Sequence, residues 1–237
     1  MQPFAPTASS QRGLSQIEIL FPETGGRSRE IVSRSRHRPT GKYPSWKMSR
    51  MMEWESPGEL NAFRLLDADP RTISYCEQPF AIRFALDGRT HTHFPDILVD
   101  SQEKREIWDI QSKANTRDDE IARRTLVLRS ELPQLGFEYR IVLADELASQ
   151  PRLSNCLTLL KYGRQPVGNA MRERIRQILS AAPHVCWRSA LEGDLGTEGR
   201  AVLSRLALEG VLSYDIGQPI SPMTRFIWAE MNQAHRK

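Results

Sequence analysis

The chain of 237 residues is long enough for two small domains with buried cores, and its net charge of +4 at pH 7 is mildly basic. Its three cysteines have no paired spacing, and neither Cys-x-x-Cys nor His-x3-His occurs, which argues against a structural zinc site. No apolar run resembles a signal peptide or a membrane-spanning helix, so we expect a cytoplasmic protein that does not bind membranes.

Residues 1–34 are predicted to be a flexible N-terminal segment, because their first part is rich in Pro, Ser, Thr and Gln. Basic charge is concentrated in residues 1–50, which hold nine Arg and Lys against three Glu. Lys and Arg displace counterions from phosphates, and the aromatic residues among them can stack on bases, so this stretch predicts DNA contact. A solvated basic tail is the alternative. The predicted DNA-binding residues are Arg34, Arg36, Arg38, Lys42 and Lys47.

A helix is predicted to begin after Ser56, with Ser56 as its N-cap, Pro57 at the first position and Glu59 at the third. Asp69-Pro70 should end it. Glu59 has two interpretations: its carboxylate reaches back to the backbone N–H of Ser56 in a capping box, or it serves a functional site. Glu55, one turn earlier, is the rival acid.

Two strands are predicted over residues 73–78 and 80–86, and Asp87-Gly88 is a hairpin turn signal that leads into the next strand. His91 and His93 share a face of that next strand. Two histidines at this spacing without a third partner are more often surface residues than metal ligands, and we interpret them so.

Two apolar runs, 97–99 and 107–110, flank an acidic loop and are predicted to form an antiparallel hairpin. If the hairpin is centred on that loop, Asp96 lies opposite Gln111. Side chains alternate along a strand, so Lys113 should share the face of Gln111. The sequence therefore predicts that an Asp, a Gln and a Lys converge on one patch.

The next predicted elements are a helix over residues 116–132, capped by Thr116 and apolar along Ile121, Leu126 and Leu128, and a strand over 137–143. The order helix, strand, hairpin, strand, helix, strand favours a mixed sheet flanked by helices. We place this α/β core within residues 35–148.

Residues 149–237 are predicted to form a second domain of helices followed by two short strands. Helices are expected over 153–162, 170–182, 187–191 and 197–209, and strands over 211–214 and 225–228. Three helices followed by a two-stranded wing are typical of winged-helix domains. Arg200, Ser204 and Arg205 are expected to be exposed, facing DNA, a protein partner or water.

The residue types of the first domain suit phosphodiester cleavage, which needs a divalent ion and an activated water. Mg²⁺ prefers oxygen ligands and keeps several waters. Asp96 fits as the central ligand, with further oxygens from Glu59 and Gln111. Lys113 can orient the water or offset developing charge. Taken singly, Asp96 could be a turn aspartate and Lys113 a strand-end lysine, but the ordered series favours a metal-dependent nuclease of the PD-(D/E)xK type.

Four segments resemble the TnsA family, the endonuclease subunit of heteromeric, Tn-seven-like transposases. They are Glu59–Phe63, Glu77–Pro79, Pro95–Val99 and Ile110–Lys113. The resemblance covers about residues 35–145, and it includes Gln where most related nucleases carry Glu or Asp. Ser112 and Ala114 depart from the family, in which apolar residues or proline more commonly flank the lysine.

The resemblance implies a restriction-endonuclease-like core with a C-terminal winged-helix domain. It assigns Glu59 as the active-site acid, Asp96 as the metal aspartate, and Gln111 and Lys113 as the remaining site residues, with Mg²⁺ as cofactor and Mn²⁺ as a substitute. It further implies cutting of the 5′ strands at transposon ends, together with a TnsB-like transposase of the integrase type and a TnsC-like AAA+ ATPase.

Two other functions fit the sequence less fully. A stand-alone restriction or repair nuclease would use the same chemistry but would cut DNA without partners. A non-catalytic adaptor would use the basic segment and the winged helix to bind DNA or protein.

Overall fold

A computed structural model describes residues 17–22, 39–188 and 195–229 as a mixed α/β protein with several sheets. Within these residues no helix combines the length and the apolar character needed to cross a membrane. The chain divides into two compact units. The first takes in residues up to 42, 52–59 and 74–144, and the second takes in 43–51, 60–73 and the residues from 145 onward.

The described strands are β1 Ile17–Leu20, β2 Gly41–Ser45, β3 Arg50–Trp54, β4 Thr72–Glu77, β5 Ala81–Leu86, β6 Arg89–His93, β7 Ile97–Ser101, β8 Arg105–Gln111, β9 Glu138–Leu143, β10 Val185–Cys186, β11 Leu212–Ser213 and β12 Arg225–Trp228. The described α-helices are α1 Pro57–Ala68, α2 Asp119–Glu131, α3 Ala144–Leu147, α4 Arg152–Tyr162, α5 Asn169–Ala181 and α6 Gly199–Leu208. Most of the predicted elements are therefore present, with bounds shifted by one or two residues.

The first unit is built around a four-stranded sheet in the order β4-β7-β8-β9. β7 pairs antiparallel with β8, and β8 pairs parallel with β9. Ile97, Leu98 and Val99 are all buried, as expected for a strand that is covered on both faces. Leu128 of α2 and Leu132, which follows it, pack into the same core as Ile107. The predicted mixed sheet with flanking helices is confirmed at this level.

A second sheet of the first unit has the order β1-β5-β6 and is antiparallel throughout. The predicted hairpin turn at Asp87-Gly88 is confirmed, because Leu86 pairs with Arg89. Both turn residues have positive φ, 51° and 73°, as the tight turns that suit twisted hairpins require.

The predicted register of the β7–β8 hairpin was wrong by two residues. Ile97 pairs with Trp108, and Asp100 pairs with Arg105. The turn closes earlier than expected because the Ser101 hydroxyl accepts the backbone N–H of Lys104 at 3.1 Å. Extending the observed register by one position places Asp109, not Gln111, opposite Asp96. A shift of two residues leaves every side chain on its predicted face.

The predicted start of the helix after β8 was also wrong. Asp118, not Thr116, is the N-cap of α2, and its side chain accepts the N–H groups of Glu120 and Ile121. Residues 115–117 form a separate 3₁₀ turn. Leu126, expected on the apolar side of this helix, is 70% exposed.

In the second unit, β10, β12 and β11 form a small antiparallel sheet, and α6 buries Val202, Leu203 and Leu206 as predicted. β10 was not predicted. Trp187 and Arg188 form a turn rather than the start of a helix, and the rest of the predicted helix 187–191 lies outside the described residues.

The exposure expected for three residues of α6 was wrong. Ser204 is fully buried, and the guanidinium of Arg205 bonds Glu209 at 2.6 Å. Arg200 lies over the rings of Tyr162 and Trp187. Packing within the second unit therefore engages side chains that the helical pattern alone assigned to the surface.

Gly163, at the end of α4, provides a test of how closely α6 approaches. A Cβ at Gly163 would lie 2.8 Å from the backbone of Ser204 and Arg205, which cannot yield as a flexible side chain would. We expect Gly163→Ala to destabilise the protein by roughly 1–3 kcal/mol in urea unfolding. Gly168→Ala is the control, since its added methyl meets nothing within 4 Å, and its replacement at the N-cap of α5 should cost less than the clash at Gly163. Equal losses in the two variants would contradict this packing.

Candidate functional site

The first turn of α1 fixes Glu59. The Ser56 hydroxyl accepts the N–H of Glu59 at 3.2 Å and donates to Glu59 Oε1 at 2.9 Å. Glu59 Oε2 accepts the backbone N–H of Glu55 at 2.9 Å, where the predicted capping box would have used the N–H of Ser56. The predicted capping role of Glu59 is thus confirmed, but the backbone donor is Glu55 instead of Ser56. A carboxylate oxygen has two lone pairs, so capping leaves Glu59 able to contact a cation.

Gly58 lets the same turn approach β8. A Cβ at this position would lie 2.8 Å from Ile110 Cγ2 and 3.3 Å from Ala144 Cβ. The absence of a side chain therefore permits a contact that no other residue type would allow without displacement. The contact holds the start of α1 against the strand that carries Gln111.

Asp96 is held at three points just before β7. Its N–H donates to the carbonyl of Trp108 at 3.1 Å, and its carbonyl accepts the N–H of Gln78 at 2.8 Å. Its Oδ2 accepts the backbone N–H of Ile110 at 2.6 Å. The carboxylate is therefore pinned to β8 one residue before Gln111.

The pKa of Asp96 is raised well above its ordinary value, first by burial, then by the negative charge of Asp109, and then by that of Glu59. The bond from Ile110 opposes the shift, and Glu55 adds to it. The structure thus places Asp109 and Glu59 close enough to Asp96 for their charges to disfavour its ionisation. Such an arrangement favours a bound cation.

Gln111 and Lys113 follow Asp109 at the end of β8. Gln111 is the last residue of the strand, and its Oε1 accepts from Asn115 Nδ2 at 3.2 Å. Lys113 lies beyond the strand in an exposed turn, and its carbonyl accepts the Thr116 hydroxyl at 2.9 Å. Strand alternation therefore does not reach Lys113, and the reason given for its position was wrong.

Asp109 is a buried acid that sequence reasoning missed. It is 1% exposed, and its carboxylate bonds the Tyr139 hydroxyl, His93 Nε2 at 2.8 Å and Arg124 at 3.1 Å. Burial and the charge of Asp109 raise the pKa of Tyr139. His93 is therefore a partner of a buried acid rather than the surface residue we expected. The available signal was a lone acid within the apolar run 107–110.

The predicted DNA-binding residues have separate outcomes. Arg34, Arg36 and Arg38 lie outside the described residues. Lys42 has a 64% exposed side chain and pairs with Glu53 at 3.2 Å. Lys47 Nζ donates to the carbonyls of Leu66 at 3.0 Å and Asp69 at 2.6 Å, and burial lowers its pKa to about 8. Lys47 thus satisfies carbonyls at the end of α1, and its geometry lends no support to phosphate contact.

The predicted metal ligands are two carboxylates, Glu59 and Asp96, and the amide of Gln111. Within residues 17–22, 39–188 and 195–229 there is no cluster of three or more His, Cys, Asp or Glu side chains arranged to hold a metal ion. Mg²⁺ retains several waters and needs only one or two carboxylates, so the oxygen donors fit that ion. The negative charges of Asp109 and Glu59, which act on Asp96, also favour binding of a divalent cation.

Gly58→Ala tests the approach of α1 to β8. The added methyl should push the first turn away from Ile110 and destabilise the protein by about 1 kcal/mol or more, despite the better helix propensity of Ala. Ile110→Ala removes the obstructing methyl. Urea unfolding of both single variants and the double variant should show a double-variant loss smaller than the sum, by roughly 0.5–3 kcal/mol. Additive losses would contradict the contact.

Asp96→Asn tests the electrostatic repulsion. Because the pKa of Asp96 is raised in the folded state, its contribution to stability is present below the ordinary pKa of an aspartate and is lost as pH rises through the higher folded value. The neutral amide avoids that loss. Without divalent ions, we expect the variant to unfold at a higher temperature than the natural chain at pH 8, and the gain to vanish near pH 3. A gain that is constant across pH would contradict this.

Comparison with known proteins assigns neither a family nor a function to the chain. No protein-family model and no curated protein matches the chain. The functional interpretation therefore depends on the residues and contacts described above.

Proposed function

We propose that this chain is an Mg²⁺-dependent DNA endonuclease of the TnsA type. It would cut the 5′ strands at transposon ends during cut-and-paste transposition. The observation that carries the proposal is the enclosure of Asp96 by the charges of Asp109 and Glu59. Burying an acid beside negative charge is unfavourable unless a cation compensates it. Arg124 already pairs with Asp109, and a bound ion would compensate Asp96 and Glu59.

The ion would be held by Asp96 and Glu59, with the amide oxygen of Gln111 beside them. When bound, Mg²⁺ supplies positive charge to the phosphoryl oxygens and favours ionisation of a nearby water. The chain's own contribution is to fix the two carboxylates before DNA arrives, through the cap of α1 and the bond from Ile110. Lys113 is exposed at the end of β8, where it would offset negative charge on the substrate.

The topology of the first unit supports a restriction-endonuclease-like core. An antiparallel hairpin, β7–β8, carries Asp96 and Gln111, and α2 then connects β8 to the parallel strand β9. The contact between Gly58 and Ile110 brings the first turn of α1, which carries Glu59, against β8 of this sheet.

The second unit supports the winged-helix proposal by its order of elements. α5 precedes β10, α6 precedes the β11–β12 pair, and β10 joins β12 to complete the sheet. Because Ser204 is buried and Arg205 is paired, we propose that this unit contacts protein partners, a TnsB-like transposase and a TnsC-like AAA+ ATPase, rather than reading bases through α6. DNA contact is proposed for the basic N-terminal segment and Lys42.

The test is strand-resolved mapping of nicks on DNA that carries transposon ends, with the candidate partner subunits and Mg²⁺. We expect cuts on the 5′ strands, and a loss of at least about 10²-fold in Asp96→Ala and in Lys113→Ala. Gln134→Ala is the control, since Gln134 is exposed and outside the site. Circular dichroism should show that all variants fold.

Three results would overturn the proposal. Retained cleavage in Asp96→Ala would remove the assigned centre. Strong cutting of DNA without ends by the chain alone would favour a stand-alone nuclease. Unchanged transposition by Asp96→Asn would favour a non-catalytic adaptor.

A further inference from the structure

Gln78 has an unusual backbone for its residue type. It lies between the end of β4 and Pro79, it is buried, and its φ is +42°. Residues other than glycine seldom adopt this left-handed region, and Asn does so more readily than Gln. Residues held there against their preference are concentrated at functional sites.

Gln78 contacts two acids of the candidate site at once. Its backbone N–H donates to the carbonyl of Asp96 at 2.8 Å. Its side-chain Nε2 donates to Glu55 Oε1 at 3.2 Å. The charge of Glu55 also acts on Asp96, so Gln78, Glu55 and Asp96 lie close together.

We propose that Gln78 is a positioning residue of the metal site, which fixes Asp96 through its backbone and holds the carboxylate of Glu55 close to it through its amide. The inference rests on the proposed function and goes beyond it, because it adds Glu55 to the negative groups that attract the ion. Gln78 would not touch the ion or the substrate itself.

The chemistry of the amide suits this role. A Gln donates a hydrogen bond to a carboxylate without adding a positive charge, so it does not compete with a cation for the charge of Glu55. A Lys or Arg would cancel that charge, and a Glu would repel it. The short side chain of Asn and the bare backbone of Gly would both keep the left-handed conformation but lose the reach to Glu55.

Gln78→Gly and Gln78→Asn in the full chain separate the backbone from the side chain. We expect both to remain folded, because the fall in backbone strain offsets part of the loss of a buried, hydrogen-bonded side chain. Their affinity for Mn²⁺, measured by electron paramagnetic resonance, should fall about tenfold or more. In the cleavage assay the half-saturating Mg²⁺ concentration should rise by the same factor, with a smaller change in rate at saturating Mg²⁺.

Asp87→Gly is the matched control. Asp87 is also left-handed, with φ of 51°, but it lies in the exposed β5–β6 turn and bonds Arg123. Its replacement should relieve strain without changing Mn²⁺ affinity.

The route through Glu55 is tested by combining Gln78→Gly with Glu55→Gln. If Gln78 acts by holding Glu55, the double variant should bind Mn²⁺ no more weakly than Glu55→Gln alone. An additive loss would overturn that route. Natural Mn²⁺ affinity in Gln78→Gly, in a chain that still cuts DNA, would overturn the role of Gln78 and leave the endonuclease intact. A natural chain that neither binds Mn²⁺ nor cuts would overturn both.

Discussion

The candidate site depends on the backbone N–H of Ile110, which donates to Asp96 at 2.6 Å. The same residue presents the methyl group that Gly58 approaches, so Ile110 touches both the loop that carries Asp96 and the helix that carries Glu59. β8 thereby sets the spacing of two acids that are 37 positions apart in the sequence. The geometry is held mainly by backbone groups and a missing side chain, which are less adjustable than long side chains.

This fixed geometry holds the Asp96 carboxylate in an electrostatically unfavourable position. Asp96 is buried beside the charges of Asp109, Glu59 and Glu55, and the hydrogen bond from Ile110 opposes their effect on its pKa. Asp109 shows the contrasting solution: Arg124 pairs with its charge, and His93 and Tyr139 hydrogen-bond the same carboxylate. Asp109 is thus paired within the chain, whereas Asp96 lies beside negative charge. This difference supports the metal-binding role proposed for Asp96.

The predictability of these features follows the range of the interactions that create them. The start of α1 and the turn at Asp87-Gly88 were predicted because their signals are local: a cap next to a proline, and two residues suited to positive φ. The hairpin register was missed by two residues, since one hydroxyl, that of Ser101, decides where the turn closes.

The role of Asp109 was missed for a different reason. Its partners come from β6, α2 and β9, and no local pattern brings His93, Arg124 and Tyr139 together. The contacts of Lys47 were missed for the same reason, because the two carbonyls it bonds lie at the end of α1, about twenty residues away in sequence. The charge of Glu59 nevertheless acts on Asp96, so the ordered series of motifs reflects part of the topology even where the predicted strand pairing is wrong.

Several basic side chains of the second unit are already engaged within the protein. Arg164 lies over Tyr43, Arg205 lies over Trp46 and pairs with Glu209, and Lys47 bonds the end of α1. A cation that is already engaged by carbonyls, rings or a carboxylate loses those contacts when it turns to a phosphate, so a count of basic residues overstates the attraction. The DNA contact proposed above therefore rests on the excess of positive charge in residues 1–50, apart from Lys47, and not on these engaged side chains.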